Sequence, residues 1–273
     1  MSGSRLADRR VLVVGASAGL GQATARAIAA EGARVAIAAR RRPRLEACLA
    51  TLPRGAVALE CDVAEDSACE RVVAETVSAF GGLEAVVYAP GLTILRAARD
   101  TTGSDWRETF ETNLFGAAMV TRAALPHLLE SRGRVVYFSS ISIDDRPPRA
   151  GMSAYVASKV ALESMAQAFQ GEHPSVGFTT IAAGDTLTEK VAETPPEVAM
   201  EFVPRWMSAG LLPGRLMDAE SVAEQVVNVL ASREHVRRLA ITPEPPAAAG
   251  AVEIPGVAGN PSLYRGEEEP AAE

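Results

Sequence analysis

Short runs of β-branched and small apolar residues alternate along this chain with longer stretches whose apolar positions recur every three or four residues. The short runs are typical of strands buried on both faces, and the longer stretches are typical of amphipathic helices. The predicted strands cover residues 10–14, 35–39, 56–60, 84–88, 134–138, 176–182 and 238–242. Between them lie predicted helices, including a long one over residues 104–129 that is capped by Ser104 and interrupted near Pro126.

This alternation indicates how the strands are connected. A crossover helix of ten or more residues brings the next strand back parallel to the one before it, with a right-handed connection. The sequence therefore predicts an α/β fold of the Rossmann type, with a doubly wound parallel sheet of about seven strands and helices on both faces.

Two regions depart from the alternation. Residues 184–217 contain several prolines and bulky apolar residues without a clear period, which predicts a lid over a ligand. Residues 243–273 form a tail rich in Pro and Glu. We therefore expect a single domain over residues 1–242, followed by a tail whose tip is disordered.

Composition and charge exclude several classes of function. The 273 residues carry a net charge of −7, and the tail alone holds six glutamates against one arginine. This balance predicts no binding to nucleic acid or to a membrane surface. The three cysteines form no CxxC pair, so neither a metal site nor a disulfide framework is expected. With no apolar leader and no transmembrane run, we expect a cytoplasmic protein.

A glycine-rich turn follows the first predicted strand directly. It reads Gly15-Ala16-Ser17-Ala18-Gly19-Leu20-Gly21 and leads into an Ala-rich helix. Glycines let the backbone approach a pyrophosphate, and the free N–H groups of the helix N-terminus point at it. The order strand, glycine turn and helix therefore predicts a dinucleotide-binding site.

The end of the second predicted strand bears on which dinucleotide is bound. An acidic residue there would accept a hydrogen bond from the ribose 2′-hydroxyl and repel a 2′-phosphate. Here Ala39 is followed by Arg40 and Arg41, whose guanidinium groups suit a phosphate. The sequence thus favours NADP over NAD, although a solvated basic helix start would have the same composition.

Tyr155 and Lys159 stand four residues apart at the start of a predicted helix and so share one face. Lysine occurs at only two positions, while arginine fills the other basic positions, which singles Lys159 out. A nearby ammonium favours the phenolate and is expected to lower the pKa of Tyr155. Tyr155 is therefore a candidate proton donor and acceptor.

Asn113 lies in the middle of a predicted helix. It is either a residue that makes hydrogen bonds in the core or a site residue.

These motifs together resemble the short-chain dehydrogenase/reductase family of the compact single-domain type, over about residues 8–242. By this resemblance Tyr155 is the general acid or base, Lys159 holds the nicotinamide ribose, Asn113 holds a water and a serine after the fifth strand orients the substrate oxygen. The residues that we expect to bind the cofactor are Gly15, Ser17, Gly19, Leu20, Gly21, Arg40, Arg41, Asp62, Val63, Ala89, Gly91, Tyr155, Lys159, Gly184, Thr186 and Thr188.

Three departures from the family pattern matter. Tyr88-Ala89-Pro90-Gly91 replaces the usual Asn-Asn-Ala-Gly, and Ala183-Gly184 replaces the usual Pro-Gly. The segment before Tyr155 is about two residues longer than is typical. Either Ser140 or Ser142 could therefore be the catalytic serine. We favour Ser140, which is expected to be the first residue beyond the strand end, where ligands bind in open α/β sheets.

These observations lead to the prediction of an NADP-dependent oxidoreductase acting on an apolar ketone or secondary alcohol. Two alternatives stay open: a non-catalytic dinucleotide sensor or scaffold, and a non-redox tailoring enzyme on the same fold. Apolar residues on more than one face of the helices that bear Asn113 and Tyr155 predict a homodimer or homotetramer.

Overall fold

The computed structural model describes residues 4–188, 194–212 and 215–244. Seven strands form one sheet in the order β3-β2-β1-β4-β5-β6-β7, and every neighbouring pair is parallel. This confirms the predicted doubly wound α/β fold. The strands are β1 Arg10–Val14, β2 Arg34–Ala39, β3 Val57–Glu60, β4 Ala85–Tyr88, β5 Arg134–Ser140, β6 Gly177–Ala183 and β7 Arg238–Ile241.

Helices connect the strands on both faces of the sheet. They are α1 Gly19–Ala30, α2 Arg42–Leu49, α3 Asp66–Phe80, α4 Gly103–Phe110, α5 Gly116–Ser131, α6 Ser153–Glu172, α7 Pro196–Ser208 and α8 Ala219–Ala231. A π-helical turn at Glu111–Phe115 joins α4 to α5, and a 3₁₀ turn at Ile141–Ile143 follows β5.

The long helix predicted over residues 104–129 differs in its cap and in its interruption. Its cap is Thr102, which forms a capping box with Asp105, and Ser104 lies inside the first turn. Pro126 lies within α5, which continues to Ser131, so the prediction of a break at Pro126 is wrong. The interruption is instead the π-helical turn, where the Tyr88 hydroxyl donates to the Thr112 carbonyl over 2.6 Å.

The period-two pattern of each strand divides the core into two layers. Val11 and Val13 pack with α1 and α8 on one face of the sheet, while Leu12 and Val14 pack with α3, α5 and α6 on the other. All four side chains have no exposed surface. Because both faces are covered, the central strands β1, β2, β4, β5 and β6 are buried almost throughout, whereas the edge strands β3 and β7 are only partly buried.

The carboxyl ends of the strands meet at one edge of the sheet. The strand order reverses between β1 and β4: the chain continues from β1 to β2 and β3 on one side, and from β4 to β5, β6 and β7 on the other. In open α/β sheets a ligand binds at such a switch point. The glycine turn, Tyr88 and Ser140 all lie at this edge. The fold therefore brings the predicted site residues to one place.

The predicted lid is partly helical. Its described part contains α7, which runs through Pro204 and presents the buried Phe202 and Trp206. A bridge between Thr186 and Met217 brings the two ends of the segment together. Residues 189–193, residues 213–214 and most of the predicted tail lie outside the described residues. Across the described ranges, none of the helices combines the length and the apolar character that a bilayer crossing requires.

Candidate active site

The glycine turn after β1 is packed too closely for side chains. A Cβ atom on Gly21 would lie 2.3 Å from the Gly15 carbonyl oxygen, and one on Gly15 would lie 2.6 Å from the Pro90 nitrogen. Gly15 and Gly19 also have positive φ angles of 82° and 53°. Each glycine is therefore required by the backbone, which places this turn against the loop that follows β4.

The N-terminus of α1 is open to a ligand. Its N-cap residue, Ala18, lies in the described part of the chain and makes no side-chain capping hydrogen bond. The N–H groups of the first turn therefore have no side-chain acceptor at the cap. Together with the helix dipole, this arrangement fits a pyrophosphate. Ser17 and Leu20 belong to the same turn, and Leu20 packs against the core.

The loop after β6 reaches back to this turn. A methyl group of Thr188 would lie 3.4 Å from a Cβ on Gly19, and the Thr186 hydroxyl donates to the Gly184 carbonyl over 2.9 Å. Gly184 itself is fixed by a hydrogen bond from its N–H to the Ile241 carbonyl. Replacement of the usual Pro-Gly by Ala183-Gly184 therefore leaves this loop tied to β7 and close to the glycine turn.

The residues predicted to meet the adenosine lie at the ends of β2 and β3. Arg40 and Arg41 are exposed, and an Arg40 guanidinium nitrogen lies 3.8 Å from an Asp62 carboxylate oxygen. Asp62 also accepts a hydrogen bond from the Ala64 N–H, while Val63 is buried. The two arginines thus border the edge of the sheet where the adenosine ribose is expected.

Tyr155 lies at the start of α6 and faces the end of β5. Side-chain hydrogen bonds with Ser140 and with Thr93 pull the pKa of Tyr155 downward, but burial has the larger effect and raises it above its ordinary value. The positive charge of Arg149 also lowers this pKa, and the negative charge of Asp185 raises it. The expectation that the Tyr155 pKa is lowered is therefore wrong for the protein alone, because burial dominates.

Lys159 is buried beneath the tyrosine, with 3% of its surface exposed. Its ammonium lies 5.8 Å from the centroid of the Tyr155 ring and donates to the Phe138 carbonyl over 2.7 Å. A Cβ on Gly91 would lie 3.9 Å from the same nitrogen. The structure therefore brings Lys159, Tyr155 and the loop after β4 together, as the sequence predicted.

Asn113 is fully buried in the π-helical turn. Its Oδ1 accepts from the Leu92 N–H over 2.6 Å, and its Nδ2 donates to the Leu92 carbonyl and to the Ser158 hydroxyl. The side chain therefore joins the loop after β4 to α6. The sequence left open whether Asn113 is a hydrogen-bonding residue of the core or a site residue. Its buried hydrogen bonds are those of a core residue, and they also fix the loop after β4 relative to α6.

The two candidate serines are bonded to each other. Their hydroxyl oxygens are 2.9 Å apart, and the Ser140 oxygen also accepts from the Ser142 N–H. Ser140 is the last residue of β5, so the expectation that the strand ends before it is wrong. It nevertheless lies at the carboxyl end of the strand, and it is the serine whose hydroxyl lowers the pKa of Tyr155.

Sequence reasoning missed three residues around Tyr155, namely Thr93, Arg149 and Asp185. Thr93 follows the altered Tyr-Ala-Pro-Gly turn. It is 62 residues from Tyr155 in the chain, so the sequence alone does not show that the two side chains are close together. Arg149 and Asp185 lie in the two segments that depart from the family pattern. A buried arginine requires an acidic partner, but nothing local in the sequence shows that Arg149 is buried.

With this geometry in view, the sequence model of the short chain dehydrogenase family matches residues 9–199. The chain belongs to this family. Members of this family are oxidoreductases that bind NAD or NADP. The glycine turn, the open N-terminus of α1 and the buried Lys159 fit such a cofactor.

The chain is also similar to individual short-chain dehydrogenases. It is 35% identical over 188 residues to 11-beta-hydroxysteroid dehydrogenase A of Sesamum indicum, covering 66% of this chain and 53% of that protein. It is 28% identical to meso-2,3-butanediol dehydrogenase of Serratia marcescens, covering 80% of this chain and 86% of that protein. A short-chain dehydrogenase from Streptomyces avermitilis is 31% identical with a TM-score of 0.74, covering 86% of this chain and 89% of that one.

These similarities differ in extent. The chain spans about half the length of the plant hydroxysteroid dehydrogenases that it matches, 53% for the Sesamum protein and 45% for an Arabidopsis thaliana relative. The similarity therefore covers only part of those plant proteins.

Proposed function

We propose that this protein is an NADP-dependent oxidoreductase that transfers a hydride between the nicotinamide and a ketone or secondary alcohol, with Tyr155 as the general acid or base. The observation that carries the proposal is the buried Lys159 ammonium 5.8 Å from the centroid of the Tyr155 ring, at the sheet edge that also holds Ser140 and the glycine turn. Sensors that have lost catalysis have no need of a paired serine and tyrosine beside a buried lysine.

The environment of Tyr155 favours its work as an acid. Burial raises the pKa of Tyr155, so the hydroxyl is protonated at neutral pH. In ketone reduction the substrate oxygen would accept a hydrogen bond from Ser140 and the proton from Tyr155. The cofactor, when bound, supplies the hydride. The neighbouring Lys159 ammonium stabilises the phenolate that the proton transfer leaves behind.

The preference for NADP rests on the end of β2. No acidic residue follows Ala39 there, and the two exposed arginines offer hydrogen-bond donors to a 2′-phosphate. Two charge-assisted bonds contribute roughly 2 to 4 kcal/mol, which corresponds to more than tenfold discrimination against NAD.

An apolar substrate fits the surroundings of Tyr155. The residues that pack around the described part of the lid are aliphatic or aromatic, and Tyr155 packs against them. The cluster consists of Met152, Phe202 and Trp206, with Leu95, Ala97, Ala150, Tyr155, Val156, Val198, Val203, Leu211 and Leu212 packed against it. By its name, the meso-2,3-butanediol dehydrogenase described above acts on a compound with secondary alcohol groups, which agrees with a secondary alcohol as substrate but does not bear on whether that substrate is apolar.

A panel of ketones and secondary alcohols tests the proposal directly. Purified protein is incubated with NADPH or NADP, and absorbance at the nicotinamide band is followed against a Tyr155→Phe control. We expect turnover of at least one apolar ketone that the control lacks. Tight NADPH binding without turnover of any compound would favour the sensor. Chemical conversion without a change in the nicotinamide would favour the non-redox tailoring enzyme.

Assembly is proposed from the surface of the same helices. Phe115 in the π-helical turn and Val160 on α6 are 48% and 45% exposed, although each lies on an element otherwise packed against the body. Burying such residues across a two-fold axis would form a homodimer or homotetramer. Light scattering at micromolar concentration should show more than one subunit, and Phe115→Glu should lower the measured mass.

A further inference from the structure

Arg149 is a buried cation in the segment that precedes α6. Its side chain is 4% exposed and contacts a nearby residue of its own segment and two parts of the chain that are distant in sequence. Nε donates to an Asp145 carboxylate oxygen over 2.5 Å, and both Nη atoms donate to the Asp185 carboxylate, over 2.6 and 3.1 Å. Nη2 also donates to the Leu211 carbonyl over 3.0 Å.

The partners of Arg149 belong to the elements that enclose the site. Asp185 begins the loop after β6 that leads to Thr188 beside the glycine turn, and its backbone carbonyl accepts from the Met217 N–H. Leu211 follows α7. One guanidinium group therefore holds the start of the predicted lid and a point near its end against the segment that carries Tyr155.

The same segment is anchored to α7 by contacts next to Arg149. The Trp206 indole donates to the Ala150 carbonyl over 2.9 Å, and the Arg149 guanidinium lies 5.7 Å from the centroid of that ring. Gly151 has a φ of 79°, and a Cβ there would lie 2.6 Å from the Phe202 ring. These contacts make α7 and the 145–151 segment one packed unit.

We propose that Arg149 is the positioning residue that holds α7 and the loop after β6 against the segment leading to Tyr155, and so determines how the substrate is placed. Arg149 makes no contact with a reacting atom, so it acts through the elements that it joins. The bidentate pairing with Asp185 requires the planar guanidinium group, which a lysine does not reproduce. The inference rests on the proposed oxidoreductase function for its kinetic part only.

The first experiment measures how firmly α7 is held against the segment before α6, and it does not require turnover. In a Trp106→Phe background Trp206 is the one remaining tryptophan of the two in the sequence, and its emission reports the contact with Ala150. Hydrogen exchange over residues 194–212 is measured in the same proteins. The variants are Arg149→Lys, Arg149→Met and Asp185→Asn, with Arg146→Met as the matched control.

Arg146 is a suitable control because it lies in the same segment but is exposed and donates to backbone carbonyls of Ile143 and Asp145. We expect about tenfold faster exchange over residues 194–212 in Arg149→Lys and Asp185→Asn, with a red-shifted Trp206 emission, and wild-type behaviour in Arg146→Met. If Arg149→Met fails to fold, the two conservative variants still decide the matter.

Kinetics provide a readout that general loss of stability would not produce. We expect the KM of an apolar ketone to rise about tenfold or more in Arg149→Lys, with a smaller change in kcat. The two charges act on the Tyr155 pKa in opposite directions: removal of the Arg149 charge in Arg149→Met raises it, and removal of the Asp185 charge in Asp185→Asn lowers it. The high-pH limb of the kcat profile should therefore move up in the first variant and down in the second.

Tyr155 is also faced by the Ser140 and Thr93 hydroxyls and by the Lys159 ammonium, which are unchanged in these variants. Unchanged exchange and unchanged emission in all three variants would overturn the proposal. A KM in Arg149→Lys that stays at the wild-type value would also overturn it. A wild-type protein without turnover would count against the proposed function alone, because the exchange and fluorescence results do not depend on activity.

Discussion

The two halves of the site are held by different kinds of interaction. In the cofactor half, glycine backbone and a helix N-terminus form the surface, and Gly21 packs directly on the Gly15 carbonyl. In the substrate half, side chains from distant segments meet, as in the pairing of Arg149 with Asp185. The first half depends on local backbone shape and the second on long-range charge and packing.

This difference teaches which changes each half tolerates. The glycine turn is disturbed by the addition of a single methyl group, but changes of charge elsewhere in the protein affect it little. The Arg149–Asp185 ion pair tolerates changes of side-chain volume nearby, but it does not tolerate the loss of one partner, because the other charge would then stay buried without its counter-ion. On the proposed function, we therefore expect substitutions among the apolar residues around Tyr155 to alter substrate choice while the backbone of the glycine turn stays in place.

Tyr155 gives the largest expected effect and tests whether the two halves are separable. Tyr155→Phe removes the proton donor but keeps the aromatic ring that packs against Met152, Phe202 and Trp206. We expect kcat for ketone reduction to fall by about a thousandfold, within the range for general acid catalysis. The NADPH Kd, measured by fluorescence titration, should stay within about threefold of wild type. Activity above a tenth of wild type would rule out Tyr155 as the acid.

Ser140 is expected to have the next largest effect. Ser140→Ala removes the hydroxyl that lowers the pKa of Tyr155 and is proposed to orient the substrate oxygen, whereas Ser142→Ala removes a hydroxyl that is hydrogen-bonded to the Ser140 hydroxyl. We expect about a hundredfold loss of turnover in the first variant and near wild-type turnover in the second. Steady-state assays with the same ketone compare them. The reverse ranking would assign the role to Ser142.

The cofactor half is tested by a single methyl group. Gly21→Ala places a Cβ 2.3 Å from the Gly15 carbonyl oxygen, so the turn has to open. Overpacking of this kind costs about 1 to 3 kcal/mol, and we expect the NADPH Kd to rise by about ten- to a hundredfold.

Gly171→Ala is the matched control for this change. Gly171 lies within α6, and a Cβ there meets nothing within 4 Å. We expect this variant to bind NADPH normally and to gain up to about 1 kcal/mol in free energy of unfolding, measured by urea denaturation. Equal NADPH affinity in the two alanine variants would show that the turn does not bind the cofactor.

The arginines at the end of β2 give the smallest expected effect. Because Arg40 and Arg41 are exposed, solvent screens their charges and moderates their contribution. In Arg40→Ala/Arg41→Ala we expect the NADPH Kd to rise about tenfold while the NADH Kd changes little. Arg42→Ala is a suitable comparison, because Arg42 pairs with Glu46 along α2. Equal loss of affinity for both cofactors would contradict a role in phosphate recognition.

The sequence by itself determined the order of strands and helices, the glycine turn and the pairing of Tyr155 with Lys159. Each of these is a local property, because a strand shows itself by its apolar run and a helix brings residues four apart onto one face. The prediction of a break at Pro126 was wrong because it, too, used only local residue preference. Residue preference indicated a break there, but in the structure the interruption is the π-helical turn, where the Tyr88 hydroxyl donates to the Thr112 carbonyl.

Only the tertiary structure decided what the polar side chains around Tyr155 do. It assigned the Asn113 side chain to Leu92 and Ser158, placed Ser140 at the end of β5 beside Tyr155, and joined Arg149 to Asp185 across 36 residues of chain. Such contacts exist because parallel strands end at one edge of the sheet and bring together loops that are far apart in sequence. The pattern along the chain records burial and period but not which of two distant loops a polar group will meet.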